Sequence, residues 1–393
     1  MSTVSPSLRL TGATVLRDRA LQRRSVAIAG GRITKGPLPA VDLEGYFLLP
    51  GIVDMQGDAL TRHAAPRATA DIELETALRA ADREAAANGV TTAWLTQTWS
   101  WEGGRHGPDH AEAVLEALDR YRPQALTELR VQLRCETHTP DSADRLLATL
   151  RRHRVDHVVF CNELQDAAAL ADSDPSALAE RARRVGQAPQ AYRQALGAAR
   201  AQARAVPRHL CRLAEAFDRS GIRYGSLADP DGETRETFSM IGAKICVSPM
   251  RRAAAALARA VGDPVVLSAP ALLSGGREAG DLAVRDMLRA GLCDALVSDF
   301  HYPSLAAAAF RLADEGLLDL PSAWALISER PAGIMRLADR GQIGYGRRAD
   351  LTVVHAETRA VEATITRGRL SYLAGEAATR FMAVGGAVAL AAE

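Results

Sequence analysis

The sequence predicts an α/β fold, a (β/α)8 barrel carrying a small composite β-sandwich domain built from both chain ends. Through the middle of the chain, eight short β-branched or apolar runs alternate with alanine-rich segments of helical length. That alternation specifies a parallel sheet, and eight repeats in about 250 residues is the count of a closed barrel. Both ends instead carry strand-like runs punctuated by glycine, too few at either end for a sandwich but sufficient if they complete one another. With 393 residues and 47% hydrophobic content, the chain can bury one large core and a smaller second one. A doubly wound open sheet is the competing architecture.

In order, the first end reads LRLTGATVL, SVAIAGGRIT and a run reaching YFLLPG, all strand signals. The barrel strands follow at 51–58, 89–98, 128–136, 156–163, 222–229, 243–248, 264–270 and 294–300. Helices are predicted between them at 70–88, 109–121, 141–153, 251–261, 279–290 and 304–314. The interval 164–220 is oversized and helical in composition, so it reads as an insertion at the barrel mouth. The tail GQIGYGRRADLTVVHAETRAVEATITRGRLSYLAG returns to strands. These readings assign 1–50 and 340–393 to the β-domain and 51–339 to the barrel.

Composition narrows the partners. The 48 Lys and Arg nearly cancel the 47 Asp and Glu, which argues against a nucleic-acid or membrane footprint and for a small-molecule substrate. All basic residues but Lys35 and Lys244 are arginines, an imbalance attributed to coding bias. Five cysteines without CxxC spacing read as buried thiols in a reducing compartment. The first 30 residues lack a signal-peptide pattern and no apolar run reaches a membrane span, so a cytoplasmic location is expected. A homodimer is also expected.

A barrel of this type builds its active site at the C-terminal ends of its strands. The test selects Gln56 and Asp58 after strand one, Thr96 and Gln97 after two, Glu136 after three, and Asn162 and Glu163 after four. Asp229 and Asp231 follow strand five, Ser248 six, Ser268 seven, and Asp299 with His301 eight. Asp58, Glu136, Glu163 and Asp299 converge by topology, and crowded carboxylates repel unless a cation or an arginine sits among them. Alternatively, single acids, Glu163 first, pair with neighbouring arginines. His63, His106, His110, His138 and His301 are expected in loops facing the mouth, with His301 the candidate acid or base. The turn Gly275-Gly276-Arg277 opens a predicted helix and is a candidate phosphate cradle, with Gln56 and Gln97 as further substrate-binding residues. Trp94, Trp99 and Trp101 cluster near the end of strand two, walling a pocket or, for Trp94, packing in the core.

LLPGIVDMQGD, SDF near strand eight and GQIGYGRRADLTVV resemble the amidohydrolase superfamily. From Ala13 to about Tyr372 the chain more specifically resembles the diphosphatases of phosphonate metabolism in the carbon–phosphorus lyase pathway. The segments that carry this are LPGIVD with Asp58, AAPR at 64–67, LRCE at 133–136, SAPALLSGGREAGDLAV at 268–284, GLCDALVSDF at 291–300 and PSLAAAAFRLAD at 303–314. The resemblance implies catalysis on a phosphorylated or phosphonate substrate by a hydrolase, a metal centre, and an aspartate at Asp299 that contacts metal and moves a proton. Several family histidines are replaced: Gln56 stands in the His-x-Asp pair, Asn162-Glu163 in an Asp-His pair, Leu227 at a third and Glu278 at a fourth. Without imidazole a binuclear zinc centre is not expected. A hard ion such as magnesium or manganese on Asp58, Glu136, Glu163 and Asp299 is the metal alternative.

The leading expectation is a divergent hydrolase of this family acting on an anionic small molecule. Two others stand beside it: a metal-free pseudoenzyme that binds a ligand or partner, and repurposed non-hydrolytic catalysis by Asp299, Glu136 and His301.

Overall fold

The computed structural model describes residues 7–67, 71–275 and 283–390. Eight parallel strands form the central sheet: β1 (Ile52–Gly57), β2 (Val90–Trp99), β3 (Glu128–Glu136), β4 (His157–Cys161), β5 (Arg223–Leu227), β6 (Ile245–Val247), β7 (Val265–Ser268) and β8 (Ala295–Val297). They pair in chain order, and a bridge between Gly57 and Asp299 brings β8 back beside β1. The doubly wound alternative is therefore excluded.

Two local features make that closure possible. Gly57 has no side chain because a Cβ there would lie 2.7 Å from Ser298 Oγ and 2.9 Å from Asp54 Oδ2. Asp54, wholly buried on β1, accepts from Ser298 N (2.9 Å) and Ser298 Oγ (2.6 Å), which clamps the first strand to the chain just beyond the last.

The helices coat the barrel through alanine and leucine stripes. Leu74–Ala87 buries Ala77, Leu78, Ala81 and Ala85, and its first turn is capped by Glu73, which accepts from Glu75 N and Thr76 N. Pro108–Tyr121, Ala143–His153 and Pro303–Asp314 repeat the pattern. Between β4 and β5 lie four helices. Leu164–Ser173, Pro175–Arg184 and Pro189–Ala201 share a core of their own around Leu178, Tyr192 and Leu196, whereas Val206–Ser220 packs Leu213 and Phe217 into the barrel core.

At the chain ends, strand Tyr46–Pro50 pairs antiparallel with Leu351–His355, with Leu48 opposite Val353. This joins the two ends in one six-stranded sheet, and a four-stranded sheet from Leu8–Thr11, Val26–Ala29, Arg32–Thr34 and Ala40–Asp42 closes over it. Leu10, Val15, Ile28, Leu48, Val353 and Ile365 fill the space between. Beyond Leu373 the chain forms a helix, Gly375–Leu390, rather than further strand, and it inserts Ala377 and Phe381 into this core.

The cysteines are free, and Cys211 is exposed where a buried thiol was expected. Trp94 and Trp99 are buried in the core, with Nε1 donating to Asp156 and Ser142 respectively, and Trp101 packs on Tyr192 of the inserted helices. None of the three lines the mouth cavities described below. Among the described residues no helix is long and apolar enough to cross a membrane.

Candidate functional site

Strand β3 alternates polar and apolar residues: Glu128, Arg130, Gln132, Arg134 and Glu136 share one face, and Leu129, Val131, Leu133 and Cys135 the other. A parallel barrel strand is ordinarily apolar on both faces, so this one places a polar ladder inside the barrel. At mid-height Gln132 donates from Nε2 to Gln56 Oε1 (3.2 Å) and lies 3.4 Å from Thr96 Oγ1. Gln56 thus takes part in an amide network at the position where the resemblance implies a metal-binding histidine.

One step higher, Arg134 reaches the mouth. Its Nη1 lies 3.6 Å from Asp58 Oδ2, and its buried Nε has no hydrogen-bond partner. Asp299 stands beside this pair. Its backbone exchanges hydrogen bonds with Asp58 N and Gln56 O, and its Oδ2 accepts from Ser268 Oγ at 3.3 Å. Burial pushes the Asp299 carboxyl up, the neighbouring Asp58 charge pushes it further, and Arg134 and Ser268 partly offset both. Asp299 also has φ 56°, as Ala228 (57°) and Ser248 (45°) do after β5 and β6. Left-handed backbone at three non-glycine strand ends is strain gathered at the mouth.

The other predicted acids are engaged elsewhere. Glu136 is wholly buried; its Oε2 accepts from Glu163 N (2.7 Å), and its Oε1 from Thr137 Oγ1 (3.1 Å) and His138 N (3.4 Å). It fixes the loop after β4. Glu163 pairs with Arg181 Nη2 at 2.7 Å, as the simpler alternative anticipated. The four carboxylates therefore do not form one group, because Glu136 is tied to backbone, Glu163 to Arg181 and Asp58 to Arg134. Among the described residues no three His, Cys, Asp or Glu side chains gather as metal ligands. A metal pair, as the resemblance implies, does not fit this donor set, with a guanidinium standing among the remaining acids.

His301 is exposed and does not line the mouth cavities; its Nδ1 shares a hydrogen bond with Ser304 Oγ at 2.8 Å. Gln97 lines the cavity, its Nε2 donating to Arg105 O (3.0 Å). His63 and His110 lie on helices rather than in loops, and His63 pairs with Glu84 at 2.7 Å. Gly275 ends the helix Ala269–Ser274 in a left-handed conformation; Gly276 and Arg277 lie outside the described residues.

Two adjoining cavities, of about 700 and 480 Å³, open around Arg134, and Thr98, His106 and Arg184 line both. The larger has an apolar wall of Leu60, Ile72, Leu74 and Val114, and cations at Arg67, Arg105, Arg134 and Arg184. Arg105 is held by Asp71 at 2.5 Å. In the smaller, the buried Glu102 gathers Arg181 Nε (3.0 Å), Tyr192 Oη (2.5 Å) and His106 Nδ1 (2.7 Å). Burial opposes its ionisation, yet His106, Tyr192 and Arg181 bring its carboxyl down to about 2. This node fastens the inserted helices to the loop after β2.

Sequence reasoning missed Arg134, Asp54 and Glu102. Comparison with known proteins agrees with the fold. The chain is 29% identical over 343 residues, 80% of its length and 85% of the relative's, to the α-D-ribose 1-methylphosphonate 5-triphosphate diphosphatase of Escherichia coli (strain K12). Among solved structures it is similar to the β-aspartyl dipeptidase of Fervidobacterium islandicum AW-1 (TM-score 0.63, 13% identity, covering 94% of this chain and 97% of that one). It is likewise similar to the N-acetylglucosamine-6-phosphate deacetylase of Pasteurella multocida (TM-score 0.62, 12% identity, covering 92% of this chain and 99% of that one). The amidohydrolase family model matches residues 56–377, most of the barrel and the returning sheet, and the chain belongs to the amidohydrolase family.

Proposed function

We propose that this chain is a hydrolase of a phosphorylated or phosphonate small molecule, which it holds by guanidinium groups in place of a metal pair. The observation that carries the reading is Arg134, beside Asp58 and Asp299 and lining both mouth cavities. A guanidinium with an unpartnered Nε is suited to an oxyanion, and Arg67 and Arg184 extend the cationic lining outward. The apolar wall suits the organic part of such a molecule. The 29% identity to a diphosphatase supports the substrate class.

Asp299 is the proton carrier in this reading. Its raised proton affinity suits it to accept a proton from water as that water attacks phosphorus, and to return it to the oxygen that leaves when the P–O bond breaks. Arg134 balances the charge that builds on the phosphoryl oxygens. A second reading, a binding protein without turnover, draws on the commitment of Glu136 and Glu163 to structural partners.

The test is a thermal-shift screen of phosphate esters, phosphonates and nucleotides, followed by a phosphate- and pyrophosphate-release assay on the stabilising compounds. Asp299→Asn is expected to lower turnover by about 10² or more with binding retained. Wild-type turnover in that variant would refute the role of Asp299, and stabilisation with no product from wild type would select the second reading.

A further inference from the structure

The opposite end of the barrel carries a second cationic cavity. It has a volume of about 390 Å³ and lies where the start of β3, the segment before β4 and the last hairpin of the β-domain meet. Five arginines line it against two carboxylates, Glu128 and Asp156.

Both acids already have partners. Glu128 Oε2 accepts from Arg340 (2.8 Å), Arg367 (2.5 Å) and Arg348, and its Oε1 from Arg130. Burial opposes its ionisation, but Arg340, Arg348 and Arg130 together hold its carboxyl far below the usual range. Asp156 accepts from Arg130 and, at 2.8 Å, from Trp94 Nε1. Arg122 pairs with Asp119 at 2.5 Å, so Arg154 and Arg369 are the lining cations in excess of what these acids neutralise.

The remaining lining looks outward for a partner. Arg154 and Arg369 line the cavity with no ion pair among the described residues. Arg154 does so from a left-handed conformation (φ 54°) at the end of helix Ala143–His153, a position where glycine is the less strained occupant. The hairpin turns through Arg367 and Gly368, both with positive φ, which sets Thr366 opposite Arg369. Thr366 is 5% exposed, lines the cavity, and its hydroxyl has no hydrogen-bond partner. A buried hydroxyl without a partner beside surplus guanidinium groups is the donor set of an anion site.

We propose that this seam binds the phosphate group of a small soluble phosphate ester or diphosphate. Arg154 from the barrel and Arg369 from the β-domain grip the oxygens, and Thr366 donates its hydroxyl. The ligand ties the final hairpin to the barrel, at the end opposite the mouth.

Calorimetric titration of the full chain with pyrophosphate tests this. Two sites are expected in wild type. The double variant Arg154→Ala/Arg369→Ala, altered at two exposed positions, is expected to lose the seam site and keep the mouth site, and Arg134→Met to keep the seam site and weaken the mouth site roughly 30-fold. Thr366→Val is expected to weaken the seam site by tenfold or more with its stoichiometry intact, a check independent of the arginines. Two sites retained in the double variant would overturn the proposal. A single wild-type site that weakens in Arg134→Met and is unchanged in the double variant would also overturn it, and would leave the reading of the mouth standing.

Discussion

Asp54→Asn gives a stability change whose size follows from the structure. The Asp54 carboxyl is wholly buried inside the barrel closure, and burial pushes it up to about 7 from an ordinary 3.8. Hydrogen bonds from Ser298 N, Ser298 Oγ and the Gln56 backbone hold it down in part, and the charge of Asp299 raises it again. Because the folded-state value exceeds the unfolded one, the native state binds the extra proton. Stability from this group is fully present below about pH 4 and is lost as pH rises to about 7. The gap corresponds to about 4 kcal/mol, at 1.36 kcal/mol for each factor of ten in proton affinity. For a cooperative unit of this length, that is about 5 °C in Tm.

Asparagine keeps the acceptor for Ser298 N and offers its amide to Ser298 Oγ, but carries no charge to bury. The variant is therefore expected to gain on wild type by up to about 4 kcal/mol as pH rises from 4 to 7.5. Urea denaturation or calorimetry of the two proteins across that range measures the difference. The two stability curves running parallel would refute the account, since the other titrating groups are common to both proteins.

Two more predictions concern buried charge. Arg235 is wholly buried, 3.2 Å from Asp229 and 3.5 Å from Asp263, so Arg235→Met leaves Asp229 without its cation and Asp263 with Lys244 alone at 3.8 Å, and is expected to cost about 3–5 kcal/mol in denaturant midpoint experiments; a loss below about 1 kcal/mol would contradict this. Glu102→Gln removes the carboxylate that joins Arg181, Tyr192 and His106, and is expected to speed hydrogen exchange in Pro175–Arg184 and Pro189–Ala201 roughly 100-fold while the barrel strands stay protected; unchanged exchange there would show that the helices are held by their apolar core alone. Since the Glu102 carboxyl lies near 2 in the folded state, its contribution is present above about pH 4.5 and is lost as pH falls towards 2.

The barrel and its mouth were legible because strand period and strand count are local signals. Asp58 and Asp299 could be placed together from topology alone, since both end strands that a closed barrel must bring side by side. Arg134 was missed although its signal was present. The strict alternation in ELRVQLRCE marks a polar inward face that carries Arg134 as well as the last acid of that strand, Glu136, which the structure turns to the β4 loop. Asp54 lies inside an apolar run, and nothing local shows that it will clamp β8. Glu102 acquires its role only when the inserted helices bring Arg181 and Tyr192, 79 and 90 residues away, onto it. The helix Gly375–Leu390 follows a strand-rich segment, and its place depends on packing into a core that the opposite chain end supplies.

Calorimetric titration of pyrophosphate into chelator-treated wild type and Arg134→Met distinguishes a mouth that holds phosphoryl anions by guanidinium from one that holds them by a metal pair. A charge-assisted hydrogen bond contributes about 2 kcal/mol, so mouth binding is expected to survive the chelator in wild type and to weaken roughly 30-fold in Arg134→Met. Mouth binding abolished by the chelator, restored by zinc and indifferent to Arg134→Met would contradict it.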